Sequence, residues 1–170
     1  RLGGVAGRGD LPRQRELVGR EPRGQQRVGL ELPGGAVDRG LVKVRTTYES
    51  ALAKGRLDAA ECASRLGRVQ GATDYRALSQ ADLVIEAVFE DMDLKHQVFR
   101  RLDEVCSDAA ILATNTSSLD VNRIAEATKL PPRVLGMHFF SPANIMKLVE
   151  VVRPATVSAD SLSSSLEVIK

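Results

Sequence analysis

The chain has 170 residues, enough for one domain with a buried core and too few for two ordinary ones. Hydrophobic residues make up 43% and charged residues 27%, a globular rather than a disordered composition. A formal charge of +2 gives no electrostatic case for nucleic acid or a membrane surface, and no apolar run reaches bilayer-spanning length.

Residues 1–40 differ from the rest. They hold 10 of the 14 glycines but no Lys, Ile or aromatic residue, whereas every Lys, Ile, Phe and Tyr follows from Leu41 onward. Arg and Gly dominance of this kind is what GC-rich DNA yields when translated out of frame. The segment is expected to be irregular through residue 35, and residues 41–170 to form the folded unit. The Val28, Leu30, Leu32 alternation is short and flanked by Gly and Pro, a weak strand signal. Arg8-Gly-Asp10 is a chance tripeptide in such text, and the absence of aromatics argues against RNA stacking there. The chain opens on Arg1 without an apolar leader, which predicts a processed or partial chain in the cytoplasm.

From Leu41, residues Leu41, Val44, Tyr48 and Leu52 recur at helical spacing, with Gly55 placed to end the helix. Asp58 and Glu61 have capping-box spacing, Val69 to Thr73 reads as a short strand, and Asp74 caps a helical turn. The Asp82–Val88 run predicts a strand buried on both faces of a parallel sheet. Asp91 caps a helix with Leu94, Val98, Leu102 and Val105 on one face, and Ala110–Ala113 is the next strand. Ser118 is read as the cap of a further helix through Ala125, which Pro131-Pro132 closes. Strands at Val134–Met137 and Leu148–Val152 follow, then a helical stripe of Leu162, Leu166 and Ile169. Strand and helix alternation with short loops predicts an α/β fold: a partial Rossmann-like parallel sheet with flanking helices. Its first strand and glycine turn are not recognisable. Gly7 and Gly9 have the opening spacing of a G-x-G-x-x-G turn, but Pro12 stands in the third place, and no second strand ending in an acidic residue is found.

Ligands of such sheets bind beyond the carboxyl ends of the strands, which directs attention to Glu90, Asn115–Ser118 and His138–Ser141. His138 ends a buried strand, and on position alone a core histidine and a general base are equally good readings. Glu150 shifts the balance. It is the one carboxylate in the apolar Leu148–Val152 run, and a buried Glu needs a partner. A His–Glu pair satisfies that need and makes a general base. His96, among charges on its helix, reads as a solvated surface residue, and Glu86 as a structural carboxylate. Asn115-Thr-Ser117 has the form of a glycosylation sequon but stands in a chain with no secretory signal. Cys62 and Cys106 fit no zinc spacing and read as buried, reduced thiols.

Four segments in order, Val84–Glu90 with Lys95, Asn115–Leu119, His138–Pro142 and Met146–Glu150, resemble the signature segments of the L-3-hydroxyacyl-CoA dehydrogenase family. The intervals from Ser117 to His138 and from His138 to Glu150 agree with that pattern. The His-Phe-Phe-Ser-Pro form is closer to the multifunctional β-oxidation proteins than to stand-alone enzymes, which usually carry Asn where Ser141 stands. Weaker similarity reaches back through Ala53–Leu57 to Leu41.

The resemblance implies NAD-dependent oxidation of L-3-hydroxyacyl-CoA to 3-ketoacyl-CoA in fatty-acid β-oxidation, by a partial catalytic domain of a larger protein. It assigns His138 as base, Glu150 as its orienting carboxylate and Ser117 as a hydrogen-bond donor to the reacting oxygen. Glu90, Lys95, Asn115, Ser117 and Ser141 would line the cofactor. A C-terminal helical domain, which in the family closes over the acyl chain and forms the dimer contact, is expected beyond Lys170. The alternative is a catalytically silent remnant of such a protein, retained as a structural or interaction module.

Overall fold

The structure is a computed structural model that describes residues 27–30 and 35–170. In chain order the elements are β1 (Arg27–Leu30), α1 (Ala36–Ala53), α2 (Ala59–Gly67), β2 (Val69–Ala72), β3 (Leu83–Glu86), α3 (Met92–Val105), β4 (Ile111–Thr114), α4 (Val121–Ala125), β5 (Val134–Phe139), β6 (Val149–Val152) and α5 (Ala159–Val168). Single 3-10 turns at Tyr75–Leu78 and Pro131–Arg133 lead into β3 and β5.

The described residues form two sheets. Strands β1 and β2 pair in parallel, with Arg27 opposite Val69 and Leu30 opposite Ala72. The larger sheet has the order β3-β4-β5-β6, parallel across the first three strands. Strand β6 runs antiparallel to β5, so residues 82–152 are not a succession of parallel strands throughout. The reason is the connection. Residues 140–148 contain no helix that could carry the chain back across the sheet, and without such a crossover a neighbouring strand must reverse direction.

The ordered framework begins before Leu41. Residues 27–30 form a strand, and α1 starts at Ala36 with Gly35 before it in the left-handed region at φ 72°. Val37 joins Leu41, Val44 and Tyr48 on the inner face of α1, which extends the helical stripe by one turn into the glycine-rich text. The rest of the expected irregular segment, including Gly7, Gly9 and Pro12, lies outside the described residues. Gly55 ends α1 at φ 64°, where its lack of a Cβ permits the left-handed turn. Asp58 caps α2 by accepting from the Glu61 amide at 2.7 Å, and Asp91 caps α3 by accepting from the Leu94 amide at 2.8 Å.

Helix α1 packs on β2 at Gly71, where an added Cβ would stand 2.1 Å from Val37 Cγ1. Gly71→Ala is therefore expected to destabilise the chain by about 1–3 kcal/mol, the usual range for forced overpacking. Val37→Ala in the same chain should restore most of the loss in urea unfolding. An unchanged midpoint for Gly71→Ala alone would show that α1 does not seat there.

Helices α3 and α4 cover one face of the larger sheet, burying Phe99, Leu102, Leu112, Ile124 and Val134. The opposite face gathers Ala113, Leu135 and Met137 with Val151, Val157 and Ile169. The inner face of α3 is centred on Lys95, Phe99 and Leu102. Strand β3 is not buried on both faces: Ile85 is 41% exposed, because among the described residues β3 is the edge of its sheet and the α5 side of the sheet does not reach over it. In α5 the buried position is Ser165, whose hydroxyl bonds back to the Ser161 carbonyl, while Leu166 faces outward. Cys62 and Cys106 are buried free thiols. No described helix is long and apolar enough to cross a membrane.

Candidate active site

Three loops meet at the carboxyl ends of β3, β4 and β5, and main-chain and side-chain hydrogen bonds lock them together. The Asn115 amide donates to the Glu86 carbonyl at 2.7 Å, and its side-chain oxygen accepts from the Phe139 amide at 2.8 Å. Asn115 thus ties the end of β4 to both neighbours and sets the 115–118 loop beside His138.

His138 and Glu150 stand directly opposite each other in the antiparallel register of β5 and β6, on the face that carries α4. Their side chains therefore meet, with His138 Nδ1 at 2.9 Å from Glu150 Oε2. Close strand approach is possible there because Gly136, two pairs away on the same face, has no Cβ to strike Val152, whose own Cβ lies 2.8 Å from the vacant position. Phe140 flanks the imidazole, ring centroids 4.9 Å apart. The burial expected of Glu150 is not observed: its side chain is 55% exposed, since among the described residues β6 is an edge strand with only β5 beside it. The imidazole is the more enclosed partner, at 21%.

Glu90 organises the loop after β4. Its carboxylate accepts from the Thr116 hydroxyl, from the amides of Ser117 at 3.0 Å and Ser118 at 3.2 Å, and from the Ser118 hydroxyl at 3.2 Å. Partial burial pushes this carboxyl up, but the hydrogen bonds from Thr116, Ser117 and Ser118 outweigh it and hold it at about 2, against 4.5 ordinarily. A group depressed on folding stabilises above its ordinary value and loses that contribution as pH falls through the folded one. The stability difference between the parent and Glu90→Gln should accordingly be constant near neutrality and shrink between pH 4.5 and about 2. Equal sensitivity of the two proteins across that window, in acid unfolding followed by circular dichroism, would place Glu90 outside this bonding.

Ser118 does not cap α4. Asp120 does, accepting from the Asn122 amide at 2.9 Å, which leaves Ser118 free to bond Glu90. The Ser117 and Ser141 hydroxyls are exposed and make no hydrogen bond to a described residue. His96 is half-buried rather than solvated, with Nε2 at 2.9 Å from the Arg123 carbonyl, a contact that joins α3 to α4.

Behind the loops lies a fully enclosed ion pair. Lys95 Nζ is 2.8 Å and 3.1 Å from the two Glu86 oxygens, and each side chain is 1% exposed. Glu86 also accepts from the Val88 amide at 2.6 Å and the Thr114 hydroxyl at 2.7 Å, and Lys95 stands 3.7 Å from Glu90 Oε2. Lys95 thus faces inward, with Glu90 between it and the open end of the sheet. Sequence reasoning passed over Thr114 and Thr116, although both are buried and each hydroxyl holds a site carboxylate. Their alternation in Thr114-Asn-Thr116 at the end of an apolar strand is the signal that could have found them.

A family model for the NAD-binding domain of 3-hydroxyacyl-CoA dehydrogenase matches residues 23–170. A 3-hydroxybutyryl-CoA dehydrogenase of Clostridioides difficile is 43% identical over 136 residues, which cover 80% of this chain and 48% of that protein. A glyoxysomal fatty acid β-oxidation multifunctional protein of Brassica napus is 38% identical over 79% of this chain and 18% of its own length. Among solved structures, a 3-hydroxybutyryl-CoA dehydrogenase of Escherichia coli K12 superposes with a TM-score of 0.81 at 38% identity, covering 84% of this chain and 30% of that one. A (S)-3-hydroxybutyryl-CoA dehydrogenase of Ralstonia eutropha gives 0.82 at 33% identity, covering 85% and 51%. The chain spans about half the length of these relatives or less. The fold, the meeting of His138 with Glu150 and the match from residue 23 agree: this chain belongs to the family of 3-hydroxyacyl-CoA dehydrogenase NAD-binding domains.

Proposed function

We propose that this domain serves the oxidation of L-3-hydroxyacyl-CoA to 3-ketoacyl-CoA in fatty-acid β-oxidation, as part of a larger protein. The carrying observation is the His138–Glu150 contact of 2.9 Å at the carboxyl end of the sheet. With Nδ1–H donated to the Glu150 carboxylate, the lone pair of His138 lies on Nε2. Nε2 takes the proton of the substrate 3-hydroxyl, and Glu150 stabilises the imidazolium that forms. NAD supplies the acceptor for the hydride that leaves C3. The free Ser117 hydroxyl donates to the reacting oxygen.

The chain's own residues suit that cofactor. Glu31 follows β1 directly in sequence, the position at which a second dinucleotide-fold strand carries its ribose-binding acid. Glu90, Asn115, Ser117 and Ser141 line the nicotinamide side, and Lys95 acts from behind by holding Glu86 and Glu90. The helical domain expected beyond Lys170 would close over the acyl chain and carry the dimer contact.

One observation favours the second reading, a catalytically silent domain: the sheet is divided between β1 and β3 among the described residues. The two readings part in a single assay. Protein carrying this domain with its helical partner domain is given L-3-hydroxybutyryl-CoA and NAD, and NADH formation is followed. Turnover supports the dehydrogenase. Failure to turn over, together with no NADH binding by calorimetry, establishes the silent domain.

A further inference from the structure

The loop after β4 is held by a side chain to which the proposed reaction gives no part. Thr116 is 3% exposed, and its single O–H and both oxygen lone pairs are engaged. The hydroxyl donates to Glu90 Oε1 and accepts from the amides of Leu119 at 2.9 Å and Ser118 at 3.3 Å. Bonds from the amides two and three positions on to Oγ1 are the local turn that Ser and Thr side chains form. Ser117 lies inside that turn, and its own amide donates to Glu90 Oε1 at 3.0 Å. Its main chain is therefore pinned on both sides, while its hydroxyl is exposed and bonds no described residue.

The two oxygens of Glu90 are used unequally. Oε1 collects the donors from Thr116, Ser117 and Ser118, whereas Oε2 has Lys95 Nζ at 3.7 Å among the described residues, too far for a hydrogen bond. One oxygen is taken up by the loop, and the other keeps its acceptor capacity. Two hydroxyls reach Oε1. That of Ser118 comes from an exposed residue at 3.2 Å, where water can replace it; that of Thr116 is enclosed and has no substitute.

We propose that Thr116 is a positioning residue whose hydroxyl couples the cofactor side of the site, through Glu90, to the donor for the reacting oxygen, through the Ser117 main chain. Its part in turnover rests on the dehydrogenase reading; the coupling of Glu90 to the loop does not. Thr116→Val keeps the shape of the side chain and removes the donor and both acceptors. Thr116→Ser keeps all three and loses only a methyl. The two substitutions separate bonding from packing, since bonding makes the first one harmful and packing makes the second one harmful.

The test follows the Glu90 carboxyl carbon by NMR through acid titration of the full chain. Turnover of L-3-hydroxybutyryl-CoA with NAD is followed in protein that also carries the helical domain. In Thr116→Val the Glu90 carboxylate is expected to bind its proton on the order of tenfold more tightly, because a donor to the charged form is lost. Turnover should fall roughly 10- to 100-fold, the scale of a displacement of about 1 Å at a reacting group. Thr116→Ser should stay close to the parent in both. Parent-like Glu90 titration in Thr116→Val, or a Thr116→Ser protein as impaired as Thr116→Val, overturns the proposal. So does normal turnover by Thr116→Val where the parent is active. If Thr116→Val does not fold, the parent decides alone. A Thr116 hydroxyl proton that exchanges slowly and shifts at the Glu90 midpoint supports the coupling, and one in fast exchange with water overturns it. A parent that does not turn over counts against the dehydrogenase reading, while tighter proton binding in Thr116→Val with recovery in Thr116→Ser still supports the coupling.

Discussion

Lys95→Met is expected to be among the most destabilising single substitutions in this chain, costing about 3–5 kcal/mol. The Lys95 ammonium and the Glu86 carboxylate are each 1% exposed and 2.8 Å apart. Removing the cation leaves the carboxylate charged or forces it to bind a proton, out of reach of water in either case. Its bonds from the Val88 amide and the Thr114 hydroxyl, at 2.6 Å and 2.7 Å, offset only part of that cost. The pair also fixes α3 against the end of β3, so Glu90 and the loop it clamps should loosen with it. Replacing both residues, Lys95→Met with Glu86→Leu, should cost less than Lys95→Met alone, because no buried charge is then stranded. Urea unfolding of the parent, Lys95→Met, Glu86→Leu and the double variant measures this directly. A double variant as unstable as the sum of the single ones would mean that the two charges do not act on each other.

His138→Gln is expected to lower turnover by about 10²–10⁴, the usual worth of a general base, with NAD affinity nearly unchanged. In the proposed reaction the imidazole acts on the substrate proton and the cofactor contacts lie on other residues, so kcat should fall rather than the cofactor affinity. Glu150→Gln should lower the rate less. Its side chain is 55% exposed, which leaves a glutamine room to rotate and present its carbonyl to His138 Nδ1–H. In a closed site the amide could be trapped with its N–H toward the ring, imposing the wrong tautomer. Steady-state kinetics with acetoacetyl-CoA, in protein that carries the helical domain, compares the two. Near-normal rates for both variants would make the pair structural.

Much of the framework was legible because it is written in local chemistry. The caps at Asp58 and Asp91, the turn at Gly55, and the apolar runs around β3, β4 and β5 each depend on residues a few positions apart. Strand β1 and the first turn of α1 were not, since the Arg- and Gly-rich text around them dilutes a pattern that only pairing with β2 and packing on Gly71 confirms. Among the site residues, His138 and Glu150 could be paired from their places at the end of one apolar run and the middle of another. Thr114 and Thr116 carried only the weak signal of their alternation at the end of β4, and which carboxylate each hydroxyl holds depends on β3 and the loop after it, far away in sequence.

Periodicity along the chain carries the α/β alternation and the loops with polar chemistry, whereas the His–Glu pairing was reached from a burial of Glu150 that the structure does not show. Tertiary structure alone decided the rest. It reversed β6, exposed Glu150 at a sheet edge, turned Lys95 inward onto Glu86 and wrapped Glu90 around the Thr116–Ser118 loop. Those outcomes depend on which strands are neighbours and which face each helix covers. Burial and hydrogen-bond partnership arise between segments distant in sequence, and no local pattern along the chain encodes them.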